Sequence, residues 1–90
     1  MFTLTTNDAE ALALASMAAT LTDERRAQRF LELTGLDASE LRSRALAGDR
    51  SLLSATIAFL ESHEPDLVAV AEAIGSSPAR LVIAREVLER

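Results

Sequence analysis

The sequence predicts an all-α fold, a compact bundle of five to six short helices, on two observations. Helix start and stop signals recur along the 90 residues, with capping residues before apolar stretches and glycine after three of them. No stretch alternates with the period of two that is typical of a strand, and β-branched residues are few. A chain of this length buries roughly 60% of the surface that its unfolded form exposes. We therefore expect one helical domain over residues 1–90.

The first helix is predicted to begin near Asp8. The side chains of Asn7 and Glu10 have the spacing of a capping pair, in which each accepts a hydrogen bond from an unpaired backbone N–H. The helix runs to about Leu21, and almost no polar face remains along it. A helix that is apolar all round belongs in the middle of a fold, so we expect its alanine-rich stretch to be buried.

The second and third helices are predicted from their caps. Thr22 precedes a helix over residues 23–34, which Gly35 ends because glycine readily adopts the left-handed conformation. Asp37 and Glu40 form another capping pair and open the third helix. Both helices show one apolar side and one charged side.

The fourth helix, about Arg50 to Ser62, follows the cap residue Asp49 and is again apolar over most of its circumference. We expect the core to centre on the first and fourth helices.

The last two helices are predicted from proline. Pro65 suits the first position of a fifth helix, because its missing N–H has no intrahelical acceptor there, and Gly75 ends that helix. Ser77 and Pro78 repeat the start signal for a sixth helix that runs toward Arg90.

A shift of forty residues aligns the two halves without a gap and predicts two three-helix repeats, over residues 7–48 and 49–90. Each half reads as helix, helix, glycine corner, helix. Two such halves can bury their apolar first helices against each other. The identical pairs are Leu12 and Leu52, Ala15 and Ala55, Ala18 and Ala58, Glu24 and Glu64, Glu32 and Glu72, Gly35 and Gly75, and Leu41 and Leu81.

Composition disfavours several classes of partner. The net charge of −5 repels phosphate and anionic lipid, which disfavours nucleic acid and membrane surfaces. The apolar run from Ala9 to Leu21 is too short to span a bilayer and lacks the basic start of a signal peptide. With no cysteine there is no disulfide, thiolate metal site or thiol nucleophile, which fits a reducing cytoplasm.

The spacing of Ala71, Gly75 and Leu81 resembles the DNA-binding helix-turn-helix. The pattern is weak, because any two helices packed across a tight turn need a small residue, a glycine and an apolar anchor. Because three arginines face five acids between His63 and Arg90, the alternative function is a DNA-binding protein that uses the other corner, over residues 23–47. Five acidic residues in that segment cancel the charge of its cations. The candidate DNA-contacting residues are Arg25, Arg26, Arg29, Arg42 and Arg44.

His63 lies between Glu61, Glu64 and Asp66, a set that in principle ligates a metal or transfers a proton. The ordinary interpretation is stronger, because a lone histidine at a helix junction is usually solvated and acids in a first helical turn interact favourably with the helix dipole. There is no glycine-rich phosphate loop after a strand, no nucleophile elbow and no HExxH motif. We expect no enzyme, no cofactor and no metal.

The leading functional prediction is a non-enzymatic protein-interaction or regulatory module, with a homodimer as one form of it. Val68, Val82 and Ile83 are hard to bury together with the other apolar residues of the last two helices. Exposed apolar patches often mark partner surfaces, so these three residues are the predicted partner surface.

Three stretches together resemble a known family: the alanine-rich first helix, "RFLELTGLDASELRSRA" and "FLESHEPDLVAVAEAIGSSPARL". They are similar to small bacterial proteins grouped as domain of unknown function 3572. The resemblance spans nearly the whole chain and implies an all-helical bacterial protein. It implies no activity and no site residues.

Overall fold

The computed structural model describes residues 3–90, which form six helices and no strand. The all-α prediction is confirmed, while residues 1 and 2 of the predicted 1–90 domain lie outside the described residues. In chain order the helices are α1 (Thr6–Thr22), α2 (Glu24–Thr34), α3 (Ala38–Leu46), α4 (Arg50–Glu61), α5 (Glu64–Ala73) and α6 (Pro78–Leu88).

Most predicted helix starts are confirmed by hydrogen bonds. Asp37 and Glu40 cap α3 reciprocally, as the sequence indicates. The Asp49 side chain accepts a hydrogen bond from the backbone N–H of Leu52 at the start of α4. Ser77 caps α6, whose first residue is a proline. Each bond satisfies a backbone donor that has no partner inside its helix.

The predicted caps of α1 and α2 are wrong by a small shift. Thr5 and Asp8, rather than Asn7 and Glu10, form the reciprocal capping pair of α1, because the same spacing of capping residues occurs two positions earlier. Asp23 caps α2, while Thr22 is the last residue of α1. Helix ends are therefore correct to one or two residues.

The two predicted glycine corners have the same conformation. Gly35 and Gly75 have φ of 71° and 69°, in the left-handed region that glycine enters without steric cost. At the second corner, α5 and α6 are bent by 97° relative to each other. No single helix within residues 3–90 is long and apolar enough to cross a bilayer, and α5 with α6 reaches that length and composition only as this bent pair.

The core lies among α1, α4 and α6. Helix α1 packs most extensively against α6, and α4 packs against both. The predicted core of first and fourth helices was therefore incomplete, because the sixth is equally central. The buried side chains of α1 and α4 are Ala9, Ala13, Ser16, Met17 and Thr20, and Leu52, Leu53, Thr56, Ile57 and Leu60.

Helix α1 is buried on one side only, contrary to the prediction from its apolar circumference. Leu12 and Ala15 are half-buried, and Ala18 is exposed. The buried side includes two hydroxyl groups, whose Ser16 Oγ and Thr20 Oγ1 donate to backbone carbonyls one turn earlier, each at 2.7 Å. Those bonds let polar residues lie in the core without an unpaired donor.

The starts of two helix pairs agree with a forty-residue shift, but the start of α1 differs from that of α4 by 44 residues and the packing of the two halves differs. Helices α2 and α5 begin at Glu24 and Glu64, and α3 and α6 begin at Ala38 and Pro78. Whereas α6 lies against both α1 and α4, α3 packs against α4 and makes no comparable contact with α1. The internal repeat stays a prediction. The different position of α3 leaves a groove between it and α1.

Candidate functional site

An apolar groove of about 430 Å³ lies between α1 and α3. Its floor includes the buried residues Met17 and Ala45, and its edges are partly or fully exposed. Carbon atoms dominate its walls. Helix α1 supplies Leu14, Met17, Ala18, Leu21 and Thr22, and α3 supplies Arg42, Ala45 and Leu46.

Leu46 is the most notable residue of this α1–α3 groove. Its relative exposure is 74%, the highest among the large hydrophobic residues within residues 3–90. Burying a leucine side chain fully is worth about 1.5–3 kcal/mol, so leaving this one in water forgoes most of that stabilisation. An exposed leucine at the edge of an apolar groove is typical of a surface that binds another protein.

The matching face of α4 is polar. A forty-residue shift from Leu14 and Leu21 reaches Ser54 and Glu61. The Glu61 carboxylate accepts two hydrogen bonds from Arg85 of α6, one of them from Nη2 to Oε1 at 3.2 Å. An ion pair thus closes the junction between α4 and α6. The corresponding junction between α1 and α3 has leucine in place of the acid and stays open.

A second cleft, open to solvent and about 780 Å³ in volume, lies along α2 and the start of α5. Its centre is Asp66, whose side chain is 13% exposed. Arg26 Nε donates to Asp66 Oδ1 at 3.2 Å, and Arg29 Nη2 donates to Oδ2. His63 Nδ1 lies 3.0 Å from the same Oδ2. Three nitrogen-bearing side chains therefore converge on one carboxylate.

These contacts set the protonation of Asp66. Burial raises the pKa of the carboxyl, but the hydrogen bonds from Arg29, Arg26 and His63 together outweigh it and hold the pKa below its ordinary value. The carboxylate is charged at neutral pH, and both of its oxygens accept hydrogen bonds. It links α2 to α5.

Aromatic contacts add to this junction. The Phe30 and Phe59 rings pack with centroids 5.0 Å apart, and the Arg29 guanidinium lies 5.6 Å from the centroid of Phe59. Tilted aromatic pairs and cation–π contacts each contribute about 0.5–1.5 kcal/mol. Helix α2 is thereby fixed to α4 and α5, which makes the α2–α5 cleft a structural junction.

A family model described as "Protein of unknown function (DUF3572)" matches residues 6–90. The chain belongs to this family. The resemblance seen in the sequence is thus confirmed. No curated protein and no solved structure matches the chain. Membership in DUF3572 assigns no activity.

The predicted DNA-contacting residues are divided among three places in the DUF3572 chain. Arg25 borders the α2–α5 cleft together with Arg26 and Arg29, and the latter two are bonded to Asp66. Arg42 lines the α1–α3 groove instead. Arg44 is exposed elsewhere on α3. Two of the five guanidinium groups are therefore already engaged within the chain.

The predicted partner surface of the DUF3572 chain is only partly exposed. Val68 is 38% exposed, whereas Val82 and Ile83 are half-buried, and Ile83 packs against the core. Leu46 and Leu33 lie on the apolar sides of α3 and α2 and are expected from the sequence to face inward, but they are 74% and 67% exposed. Their positions at the ends of apolar stripes on short helices were the only sequence signal of this exposure.

His63 and its acidic neighbours do not assemble into a metal site. Within residues 3–90, no three or more His, Asp and Glu side chains are arranged to hold a metal ion. His63 instead approaches Asp66, three residues later on the same turn. The α1–α3 groove is therefore the strongest candidate site of the DUF3572 chain.

Proposed function

We propose that the protein is a non-enzymatic protein-interaction module of the cytoplasm and that its partner binds in the α1–α3 groove. The observation that carries this proposal is the exposure of Leu46 at the edge of an apolar groove. The cytoplasmic location rests on the cysteine-free sequence.

The energetics favour occupancy of the groove. A partner side chain that enters it covers Leu14, Leu21 and Leu46, and each fully buried leucine is worth about 1.5–3 kcal/mol. Two or three such contacts supply part of the roughly 8 kcal/mol that a 1 µM complex requires after the cost of association is subtracted, and the other contacts of the interface supply the remainder. Helix-in-groove binding is a common way to supply them.

The residues that line the α1–α3 groove also suit the binding of a partner better than the catalysis of a reaction. Its polar groups are one hydroxyl, from Thr22, and one guanidinium, from Arg42. A hydroxyl nucleophile needs a neighbouring base, and neither of these groups supplies one. Apolar walls with one cation are typical of a surface that selects a partner by shape and by a single charge.

Site-specific photo-cross-linking tests the proposal. A cross-linking amino acid replaces Leu46 in one variant and Glu86 in a control variant. Glu86 is exposed at the equivalent position of α6. In cells that make the protein, the variant at 46 is expected to yield one abundant protein adduct, and the variant at 86 is expected to yield none. The captured protein, identified by mass spectrometry, is then purified and titrated.

Matched leucine variants complete the test. Leu46→Glu is expected to weaken binding of the purified partner by at least about tenfold, the loss of one buried leucine. Leu33→Glu introduces the same change at a leucine that is also exposed but lies outside the groove lining, and it is expected to leave binding unchanged. No adduct at 46, or equal effects of the two variants, would contradict the proposed function.

A further inference from the structure

We infer that the occupant of the α1–α3 groove is a second copy of this chain, which makes the protein a symmetric homodimer joined through α1 and α3. The inference rests on the proposed function and deepens it by naming the partner. It explains three features of the groove: its charges, its small residues and its difference from the matching face of α4.

The charges beside the groove come in an opposite pair. Glu10, Leu14, Met17 and Leu21 follow at intervals of four, three and four residues, which places them along one stripe of α1. Glu10 lies one turn before the groove lining, and Arg42 lies within it. Within residues 3–90, neither side chain forms an ion pair. One surface thus presents an apolar stripe with an acid at its edge and a base beside it.

A self-complementary surface needs this arrangement. In a two-fold dimer the same patch contacts itself, so each copy must supply both members of every charge pair. When two α1 helices lie antiparallel, Glu10 of one copy is placed toward the Leu21 end of the other. In the proposed dimer Glu10 of one copy pairs there with Arg42 of the other, and symmetry repeats the contact. A heterologous partner carries its own complementary charges, so it does not require both signs on this surface.

The small residues of α1 favour close approach of two copies. Ala11 and Ala18 are exposed, and Ala15 between them is half-buried. Alanine at these positions lets a second helix pack near the backbone. Of these three residues Ala18 lines the groove, so this partly covered side of α1 borders the proposed dimer surface. Chains of net charge −5 repel each other, so apolar contact has to dominate the association.

The equivalent face of α4 provides an internal comparison. Ser54, Ala58 and Glu61 occupy the positions of Leu14, Ala18 and Leu21, and Glu61 is bonded to Arg85 within the chain. Because this face is polar and its acid is already paired within the chain, a second copy that bound there would bury little apolar surface. The difference between the two faces therefore marks α1 as the dimer surface.

Sedimentation equilibrium of the full chain tests the inference. We expect the wild type to pass from monomer to dimer between low and high micromolar concentration. Leu46→Glu is expected to raise the dimer dissociation constant by at least about tenfold. The control Leu33→Glu is expected to leave it unchanged. Far-ultraviolet circular dichroism confirms that each variant is folded before its mass is measured.

Charge reversal tests the pairing itself. Glu10→Arg and Arg42→Glu are each expected to weaken the dimer by at least fivefold, because each places like charges together. The double variant restores the pair and is expected to dimerise within about twofold of the wild type. A double variant that remains as weak as the single variants overturns the inference, as does a dimer that Leu46→Glu leaves intact.

A wild-type chain that stays monomeric at high micromolar concentration also overturns the inference. That result leaves the proposed function standing if the cross-linker at residue 46 captures a different protein. An adduct between two copies of the chain supports both. Absence of any adduct at 46 contradicts the proposed function, whatever the mass of the chain.

Discussion

Arg26 and Asp66 occupy the same position of α2 and α5, the third residue of each helix, and are joined at 3.2 Å although forty residues separate them. The sequence shift that aligns the two halves pairs these two residues. Their contact therefore joins the halves at corresponding points, and one carboxylate holds the first turns of both helices together. The Arg26 side chain is only 14% exposed, so solvent screens the contact less than it screens a surface pair.

Asp66→Asn is expected to lower the free energy of unfolding by about 1–3 kcal/mol at neutral pH. The substitution removes the charge that Arg26 and Arg29 share and leaves their guanidinium groups with a neutral partner. Urea unfolding measures the change. Glu72→Gln, an exposed acid on the same helix, is the matched control and is expected to stay within about 0.5 kcal/mol of the wild type. Equal effects of the two variants would show that Asp66 has no special role.

Stability should depend on pH through the same carboxyl. Burial raises the pKa of Asp66, but hydrogen bonds from Arg29, Arg26 and His63 bring it below the ordinary value of 3.8. A carboxyl whose pKa is lower in the folded state stabilises that state above the unfolded pKa. This stabilisation is lost as pH falls through the folded pKa.

The difference in unfolding free energy between wild type and Asp66→Asn is therefore expected to be complete near neutral pH and to shrink once the pH falls below 3.8. Chemical denaturation at a series of pH values measures this difference. A difference that stays constant into strong acid, or that grows there, would contradict the assignment. Glu72→Gln, run in parallel, separates the effect of Asp66 from the general acid sensitivity of the protein.

Caps and glycines made the helices predictable, since their signals are local. Asp37 with Glu40, and Ser77 with Pro78, fix helix starts within a few residues of sequence. The predicted start of α1 is wrong by two residues because two capping pairs overlap there, Thr5 with Asp8 and Asn7 with Glu10, and the first of them caps the helix.

The sites were harder to predict. No sequence pattern shows that Asp66 accepts a hydrogen bond from Arg26, because an ion pair between two helices far apart in sequence depends on how those helices pack. The groove exists because α3 packs on α4 and not on α1. The periodicity of apolar residues within a helix does not show which neighbouring helix it packs against. The one available signal was the mismatch between Leu21 and Glu61 under the forty-residue shift.

Mixed-sequence duplex DNA is expected to show no salt-sensitive binding at about 50 mM salt, where phosphate contacts are strong. Arg26 and Arg29 are engaged by Asp66, and acidic residues border the same cleft. Fluorescence anisotropy measures the affinity. Micromolar or tighter binding that Arg25→Glu with Arg29→Glu abolishes would instead support the helix-turn-helix alternative.

Amide hydrogens of α3 are expected to exchange faster than those of α6. Helix α3 buries only Leu41 and Ala45 and packs mainly on α4, whereas α6 is held between two helices. Local opening takes place where few buried contacts must break. Hydrogen exchange with mass spectrometry measures the rates. The measurement is made on the Leu46→Glu variant, in which the proposed self-association is weakened and does not slow the exchange of α3. Exchange of both helices at one common rate would show that the chain opens only as a whole.

The packing of α1 against α6 has a consequence for synthesis of the protein. These are the first and last of the six helices, and 72 residues separate Thr6 from Pro78. At about 5–20 residues per second, a ribosome needs roughly 4–14 s to pass from one to the other. Throughout that interval the apolar side of α1 lacks its main covering helix. The native core therefore closes only after α6 has left the ribosome.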